Sequence, residues 1–141
     1  MSMAVALGWL DTNIFIHALI TNHREHARSR ALIDALTDGR AEGWLAPLVA
    51  HELTYTLGRF PQYQTRAAIY AYLSDIMATP GVLAEDKPTM LAAVGRWAAS
   101  PGLSFVDAYL TELAARDGLP VCSANARDFP ATPNSYTMTV L

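Results

Sequence analysis

Four acidic side chains stand at points of the sequence where they could act on the same substrate. They are Asp11, Glu52, Asp107 and Asp128. Mg²⁺ and Mn²⁺ prefer hard oxygen ligands such as these carboxylates. Hydrolysis of a phosphodiester benefits from such a cation, because the cation activates water and screens the charge that builds up on the phosphate. Three or four carboxylates are enough to hold it, so the set predicts metal-dependent phosphodiester hydrolysis.

Each carboxylate also has an ordinary structural explanation. Asp11 could cap the helix that follows it. Asp107 stands three residues after Ser104, which is the spacing of a capping box. Asp128 lies in a polar turn that is typical of a surface aspartate. The structural explanation is weakest for Glu52, because apolar residues flank it where a solvated helix face normally carries more charge.

Hydrophobic patterning predicts the elements that position the first two acids. Residues 5–10 form a short apolar run that predicts a buried strand, and a helix is entered at Asp11. Residues 43–46 predict a second short strand. Pro47 suits the first turn of the next helix, which carries Glu52. The first acid therefore ends a predicted strand, and the second lies on the helix after the next strand.

The rest of the chain continues this alternation of strands and helices. Further helices are predicted around residues 26–36, 69–76, 90–97 and 104–118, and further strands at 82–84, 119–122 (buried) and 135–140 (an edge strand). Such alternation predicts right-handed crossovers and a mainly parallel sheet with helices on both faces, which is the α/β class. Working sites of that class lie beyond the carboxyl ends of the strands. We therefore expect Asp11, Glu52 and residues 123–128 to meet at one edge.

Composition limits the remaining possibilities. A chain of 141 residues fits a single domain, 1–141, and its 52% hydrophobic content excludes a disordered chain. The lone cysteine, Cys122, cannot form an internal disulfide and is predicted to be buried. The apolar start lacks a basic leader and is too short for a membrane span, so we expect a cytoplasmic protein. A net charge of −3 argues against a broad nucleic-acid-coating surface, and a nuclease of this charge needs cations at its acids.

Four short segments resemble the four acidic motifs of PIN domains, in their usual order, and together they cover nearly the whole chain. They are Leu10-Asp11-Thr12-Asn13-Ile14-Phe15, His51-Glu52-Leu53, Ser104-Phe105-Val106-Asp107-Ala108 and Ser123-Ala124-Asn125-Ala126-Arg127-Asp128-Phe129. Small stand-alone PIN domains of this length are mostly toxins of the VapC type, from bacterial toxin–antitoxin pairs.

The resemblance implies a PIN-like three-layer α/β fold and a Mg²⁺- or Mn²⁺-dependent endoribonuclease in which a metal-activated water attacks the phosphorus. Asp11 and Asp107 match the family's principal metal ligands. Glu52 matches its second acid, which binds metal or orients water. Thr12 and Ser123 match hydroxyl positions near the site. No side-chain nucleophile is required by this mechanism.

The fourth motif departs from the family pattern. Members often carry an aspartate where Asn125 stands, so either Asn125 or the later Asp128 completes the site. Asn13 is a further supporting residue in the first motif. The departure at Asn125 leaves one alternative open, a catalytically degraded PIN domain that serves as an RNA- or protein-binding module.

Two protein partners are also expected. The resemblance to VapC-type toxins implies a small VapB-like antitoxin that binds beside the acids and displaces the metal with an arginine or lysine. A homodimer is expected because a chain this apolar, with Trp9, Trp44 and Trp97, has surface to cover. The RNA that would be cut is not identified by the sequence.

Overall fold

The computed structural model describes residues 3–124, 129 and 136–137, and the chain forms two compact units, Met1–Lys87 and Pro88–Leu141. The first unit is built on a parallel sheet with the strand order β1-β2-β3. These strands are β1 (Val5–Trp9), β2 (Ala41–Trp44) and β3 (Val82–Leu83). The α/β class predicted from the alternating pattern is therefore confirmed.

Four helices accompany this sheet in the first unit. They are α1 (Thr12–His17), α2 (His26–Thr37), α3 (Pro47–Thr56) and α4 (Arg66–Ala78), with two short 3₁₀ turns at Leu57–Arg59 and Pro61–Tyr63. As predicted, Pro47 occupies the first turn of its helix, where its missing N–H is harmless. α1 follows β1 and α3 follows β2, so both helices start from the same edge of the sheet.

Large aliphatic and aromatic side chains fill the core of the first unit. The fully buried ones include Phe15, Leu36, Leu45, Leu53, Leu57, Leu73 and Val82. Each such side chain contributes roughly 1.5–3 kcal/mol relative to an exposed one. They come from the helices, from β3 and from the residue that follows β2, so the core fixes the helices against the sheet.

The described part of the second unit contains two helices and a short strand pair. α5 (Lys87–Ala99) begins at the boundary, and α6 (Phe105–Asp117) ends at Gly118, whose φ of +65° is the left-handed conformation that glycine adopts without strain. An ion pair of 2.7 Å between Arg96 and Glu112 links the two helices. β4 (Cys122–Ser123) pairs in parallel with β5 (Tyr136–Thr137).

Two of the strands differ from their predicted form. β1 was expected to be buried, yet Val5 is 62% exposed and Trp9 63% exposed. A continuous apolar run indicates a strand but does not tell a central strand from an edge strand, and among the described strands β1 is an outer strand of its sheet. β2 spans Ala41–Trp44, two residues earlier than predicted, and this shift moves Trp44 to the end of the strand.

The buried strand predicted at residues 119–122 is wrong, and so is the burial predicted for Cys122. Only Cys122–Ser123 forms a strand, since Pro120 lacks the N–H that a ladder needs. Val121 is buried in an apolar cluster with Ala114 and Phe129. Side chains alternate along an extended chain, so Cys122 faces outward and is exposed.

The remaining predicted elements agree with the structure within a few residues, apart from the last strand, of which only Tyr136–Thr137 lies among the described residues. No helix in the described part of the chain combines the length and the apolar character needed to cross a bilayer.

Backbone atoms of α2 and β2 lie very close to Gly81. Its N–H donates to the Leu36 carbonyl at 2.9 Å, and its carbonyl accepts from Gly43 at 2.8 Å. A Cβ at Gly81 would meet the carbonyl oxygens of Ala41 and Leu36, the latter at 2.6 Å. Backbone atoms cannot move aside as a flexible side chain can, so this position tolerates no side chain.

We predict that Gly81→Ala lowers the free energy of unfolding by about 1–3 kcal/mol, the usual cost of overpacking. Gly58→Ala is the matched control, because nothing lies within 4 Å of a Cβ at Gly58. The control should be neutral or slightly stabilising, since alanine restricts the unfolded chain. Urea denaturation measures both variants, and equal stabilities would contradict the prediction.

Candidate functional site

Backbone hydrogen bonds hold the carboxyl ends of the three strands of the first unit in line. The N–H of Leu10 donates to the Trp44 carbonyl at 2.9 Å, and the N–H of Leu45 donates to the Leu83 carbonyl at 2.7 Å. Leu10 and Leu45 are both buried. The chain therefore leaves β1 and β2 at adjacent points of one sheet edge.

Asp11 follows β1 at this edge and is the N-cap residue of α1, with an extended backbone at φ −87° and ψ 150°. Its side chain makes no capping hydrogen bond to the helix. The residue is exposed, and so is Asn13 in the first turn of α1. The capping explanation of Asp11 is therefore wrong for its side chain, and the carboxylate is open to a ligand.

Thr12 joins the first predicted motif to the second. Its side chain is buried, and its hydroxyl donates to Oε2 of Glu52 at 2.8 Å. Glu52 is an exposed residue of α3, which packs against α1. A β-branched side chain has few rotamers, so a buried threonine fixes the carboxylate oxygen that it contacts. The hydrogen bond thereby joins Thr12, which directly follows Asp11, to a residue 40 positions further along the chain.

Asp107 lies in the second unit, in the first turn of α6. Its N–H donates to Oγ of Ser104 at 3.1 Å, and its carbonyl accepts from Oγ1 of Thr111 at 2.8 Å. Both bonds use backbone atoms of Asp107. The serine half of the predicted capping box is thus present, while the Asp107 side chain is half-buried.

The other predicted residues fall in two groups. Ser123 is half-buried in β4, opposite Thr137 of β5. Asn125 and Asp128 lie outside the described residues. Of the predicted set, the structure directly joins Thr12 with Glu52, and Asp11 precedes Thr12 in the sequence; all three residues lie in the first unit.

The donor chemistry of the first unit suits a hard divalent cation. Asp11 and Glu52 offer carboxylate oxygens, and Mg²⁺ is usually held by one or two carboxylates together with several waters. Within residues 3–124, 129 and 136–137 there is no group of three or more His, Cys, Asp or Glu side chains that could hold a metal ion. The described residues therefore offer two carboxylates to such an ion. They are Asp11, which precedes Thr12 in the sequence, and Glu52, which accepts a hydrogen bond from Thr12.

An exposed pair of tryptophans lies at the same sheet edge, outside the predicted set of site residues. Trp9 and Trp44 are cross-strand partners, with ring centroids 5.9 Å apart. Trp9 is 63% exposed and Trp44 38% exposed. One sequence signal marks the pair: each tryptophan directly precedes the leucine that follows its strand, Leu10 or Leu45.

The sequence matches the model of the PIN domain family over residues 9–134. The matched range includes all four of the acidic segments and parts of both compact units. No curated protein matches the chain.

We predict that Thr12 and Glu52 are energetically coupled in the folded protein. Thr12→Val keeps the shape of the side chain and removes the donor, so a double-mutant cycle with Glu52→Ala should give a coupling of about 0.5–1.5 kcal/mol. Urea denaturation of the four proteins measures it. Thr37→Val is the control, since the Thr37 hydroxyl bonds only within α2, to the Ile33 carbonyl. A coupling as small as the control's would refute the contact.

Proposed function

The chain belongs to the PIN domain family, and from this premise we propose that it is a metal-dependent endoribonuclease that hydrolyses RNA phosphodiester bonds. PIN domains are generally nucleases. The observation that carries the proposal for this chain is the open Asp11 carboxylate beside the hydrogen-bonded pair Thr12 and Glu52. These residues belong to the two segments that resemble the family's first two acidic motifs.

The proposed metal ligands are Asp11, Glu52 and Asp107. A bound Mg²⁺ or Mn²⁺ would supply acidification of a water molecule and charge neutralisation at the phosphate. The protein's part is to present the carboxylates in fixed positions. Thr12 does this for Glu52 by donating a hydrogen bond to Oε2. The Asp11 side chain does not cap α1, so both of its oxygens are left for the cation.

Further residues complete the proposed site. Asn13 and Ser123 support it with polar groups, and Asn125 or Asp128 supplies the fourth motif. We propose that residues 1–141 act as a single PIN-like domain, because the family match runs across both compact units.

We further propose that the protein is the cytoplasmic toxin of a VapBC-type pair. Its acidic segments resemble those of VapC-type toxins, and an uncontrolled RNase would harm its host. The partner would be a small VapB-like antitoxin. We also propose a homodimer, because exposed apolar side chains such as Val106, Leu110 and Leu119 leave surface that a second copy can cover.

We predict that Asp11→Asn or Asp107→Asn lowers kcat/KM for Mg²⁺-dependent RNA cleavage by about 100- to 1,000-fold, the usual cost of losing one group that stabilises transition-state charge. Glu52→Gln should be nearly as damaging. The Asp11 side chain makes no capping hydrogen bond that the substitution could remove, so Asp11→Asn should keep the fold. Cleavage of a fluorescent RNA, with thermal unfolding as a folding check, measures these effects.

Asp34→Asn is the matched control for these variants, since Asp34 is exposed on α2 and pairs with Arg30 at 3.3 Å. It should cleave RNA like the unaltered protein. Full activity of purified Asp11→Asn would overturn the site assignment. Absence of cleavage by the unaltered protein with either metal would favour the binding-module alternative.

We predict that the antitoxin inhibits competitively with metal. An incoming arginine or lysine would pair with the Asp11, Glu52 and Asp107 carboxylates, and such charge-assisted contacts are strong when shielded from water. Co-expression of the adjacent small reading frame should give a complex whose inhibition weakens as Mg²⁺ or Mn²⁺ is titrated in. If expression of this chain alone leaves growth unaffected and no adjacent product copurifies, the toxin role is wrong.

A further inference from the structure

Trp9 and Trp44 share one side of the sheet with Asp11. Leu10 is buried between Trp9 and Asp11, and the backbone at Asp11 is extended. Side chains alternate along an extended chain, so those of Trp9 and Asp11 point to the same side, about 7 Å apart along the strand. The cross-strand pairing adds Trp44 to that side. The aromatic pair thus lies on the same side of the sheet as the proposed catalytic carboxylate of Asp11 and next to it along the strand.

We propose that Trp9 and Trp44 form a base-stacking subsite that holds a nucleotide of single-stranded RNA beside the cleavage site. This proposal deepens the proposed function by assigning residues that bind the substrate. The rings are tilted by 44° at a centroid distance of 5.9 Å, and more than half of Trp9 is open to solvent. An aromatic face in this position accepts any base, because every base has a π face.

The charge of the chain favours stacking as the source of RNA affinity. The protein has 10 Lys and Arg against 13 Asp and Glu. Nonspecific binding to nucleic acid normally comes from many Lys and Arg contacts to phosphates. Stacking requires no cation from the protein, and each stacked base contributes enough to tighten binding several-fold or more. An acidic protein can therefore hold RNA through its bases.

The size of the pair also favours a base over a protein. The exposed fractions of Trp9 and Trp44 together amount to about one tryptophan side chain, roughly 250 Å² at most. A stable protein interface buries about 800 Å² on each partner. The pair alone is too small for such an interface, whereas its area suits one or two stacked bases.

The test measures RNA binding without cleavage. The probe is a fluorescein-labelled single-stranded RNA of 12 nucleotides in EDTA, and fluorescence anisotropy gives Kd. Trp9→Leu should raise Kd roughly 5- to 100-fold, and Trp44→Leu should also raise it, because one stacked base is lost. Trp9→Phe should restore much of the affinity, since it returns an aromatic ring. Tyr70→Leu is the control, because Tyr70 is an exposed aromatic residue of α4 (37%) and should leave Kd unchanged.

A second probe separates bases from phosphates. An abasic oligoribonucleotide of the same length keeps the charge and lacks the bases, so the unaltered protein should bind it as weakly as Trp9→Leu binds the intact RNA. Equal affinity for the two probes, or a Kd unchanged by Trp9→Leu, would overturn the subsite. A change of oligomeric state in Trp9→Leu with RNA affinity unchanged, measured by sedimentation, would also overturn it and assign the pair to a protein interface.

The readout does not depend on the nuclease activity. If the protein binds RNA through the tryptophans but cleaves nothing with Mg²⁺ or Mn²⁺, the subsite stands and the proposed nuclease falls. If the protein cleaves RNA and Trp9→Leu changes neither Kd nor KM, the nuclease stands and the subsite falls.

Discussion

The hydrogen bond from the Leu10 N–H to the Trp44 carbonyl is the constraint on which the arrangement of the first unit's site depends. It continues the pairing of β1 and β2 one residue beyond β1, just before the chain turns into α1. Because it fixes the register at that point, it also fixes which side chains share a side of the sheet. Leu10 faces the core, and its neighbours Trp9 and Asp11 face outward. A slip of one residue would bury Asp11 and expose Leu10.

Small residues in β2 and before β3 make this register possible. A Cβ at Gly43 would lie 2.5 Å from Cδ2 of Leu10, so the leucine occupies the space that a side chain there would fill. Gly81 lets the chain before β3 approach β2 and the end of α2 in the same way. The depth at which Leu10 is buried thus depends on Gly43, a glycine remote from it in sequence. The position of Asp11 depends on that depth in turn.

Local patterns predicted the parts of this arrangement that local physics decides. An apolar run that stops at Asp11, and a proline that begins the helix of Glu52, are features of a few neighbouring residues, and both elements are present. The hydrogen bond between Thr12 and Glu52 joins residues 40 positions apart, and no local sequence pattern predicts a contact at that separation. The exposure of Trp9 could not be predicted from the sequence either. A hydrophobic side chain favours burial, and only the strand order places β1 on the outside of the described sheet. Pro120 indicates that β4 begins after it, but the apolar residues around Pro120 favoured a strand that began at residue 119.

The proposed action of an acidic protein on a polyanion imposes two opposing requirements at one place. The carboxylates of Asp11 and Glu52 are proposed to hold a divalent cation, and without that cation they would repel the phosphate that they are proposed to act on. Adding surface arginines and lysines would relieve the repulsion, yet these would also compete for the same carboxylates. An uncharged aromatic surface at Trp9 and Trp44 avoids that competition, because stacking involves the bases and leaves the acids to the metal. Binding of this kind releases few counterions, so its affinity depends on salt less steeply than binding through phosphates does.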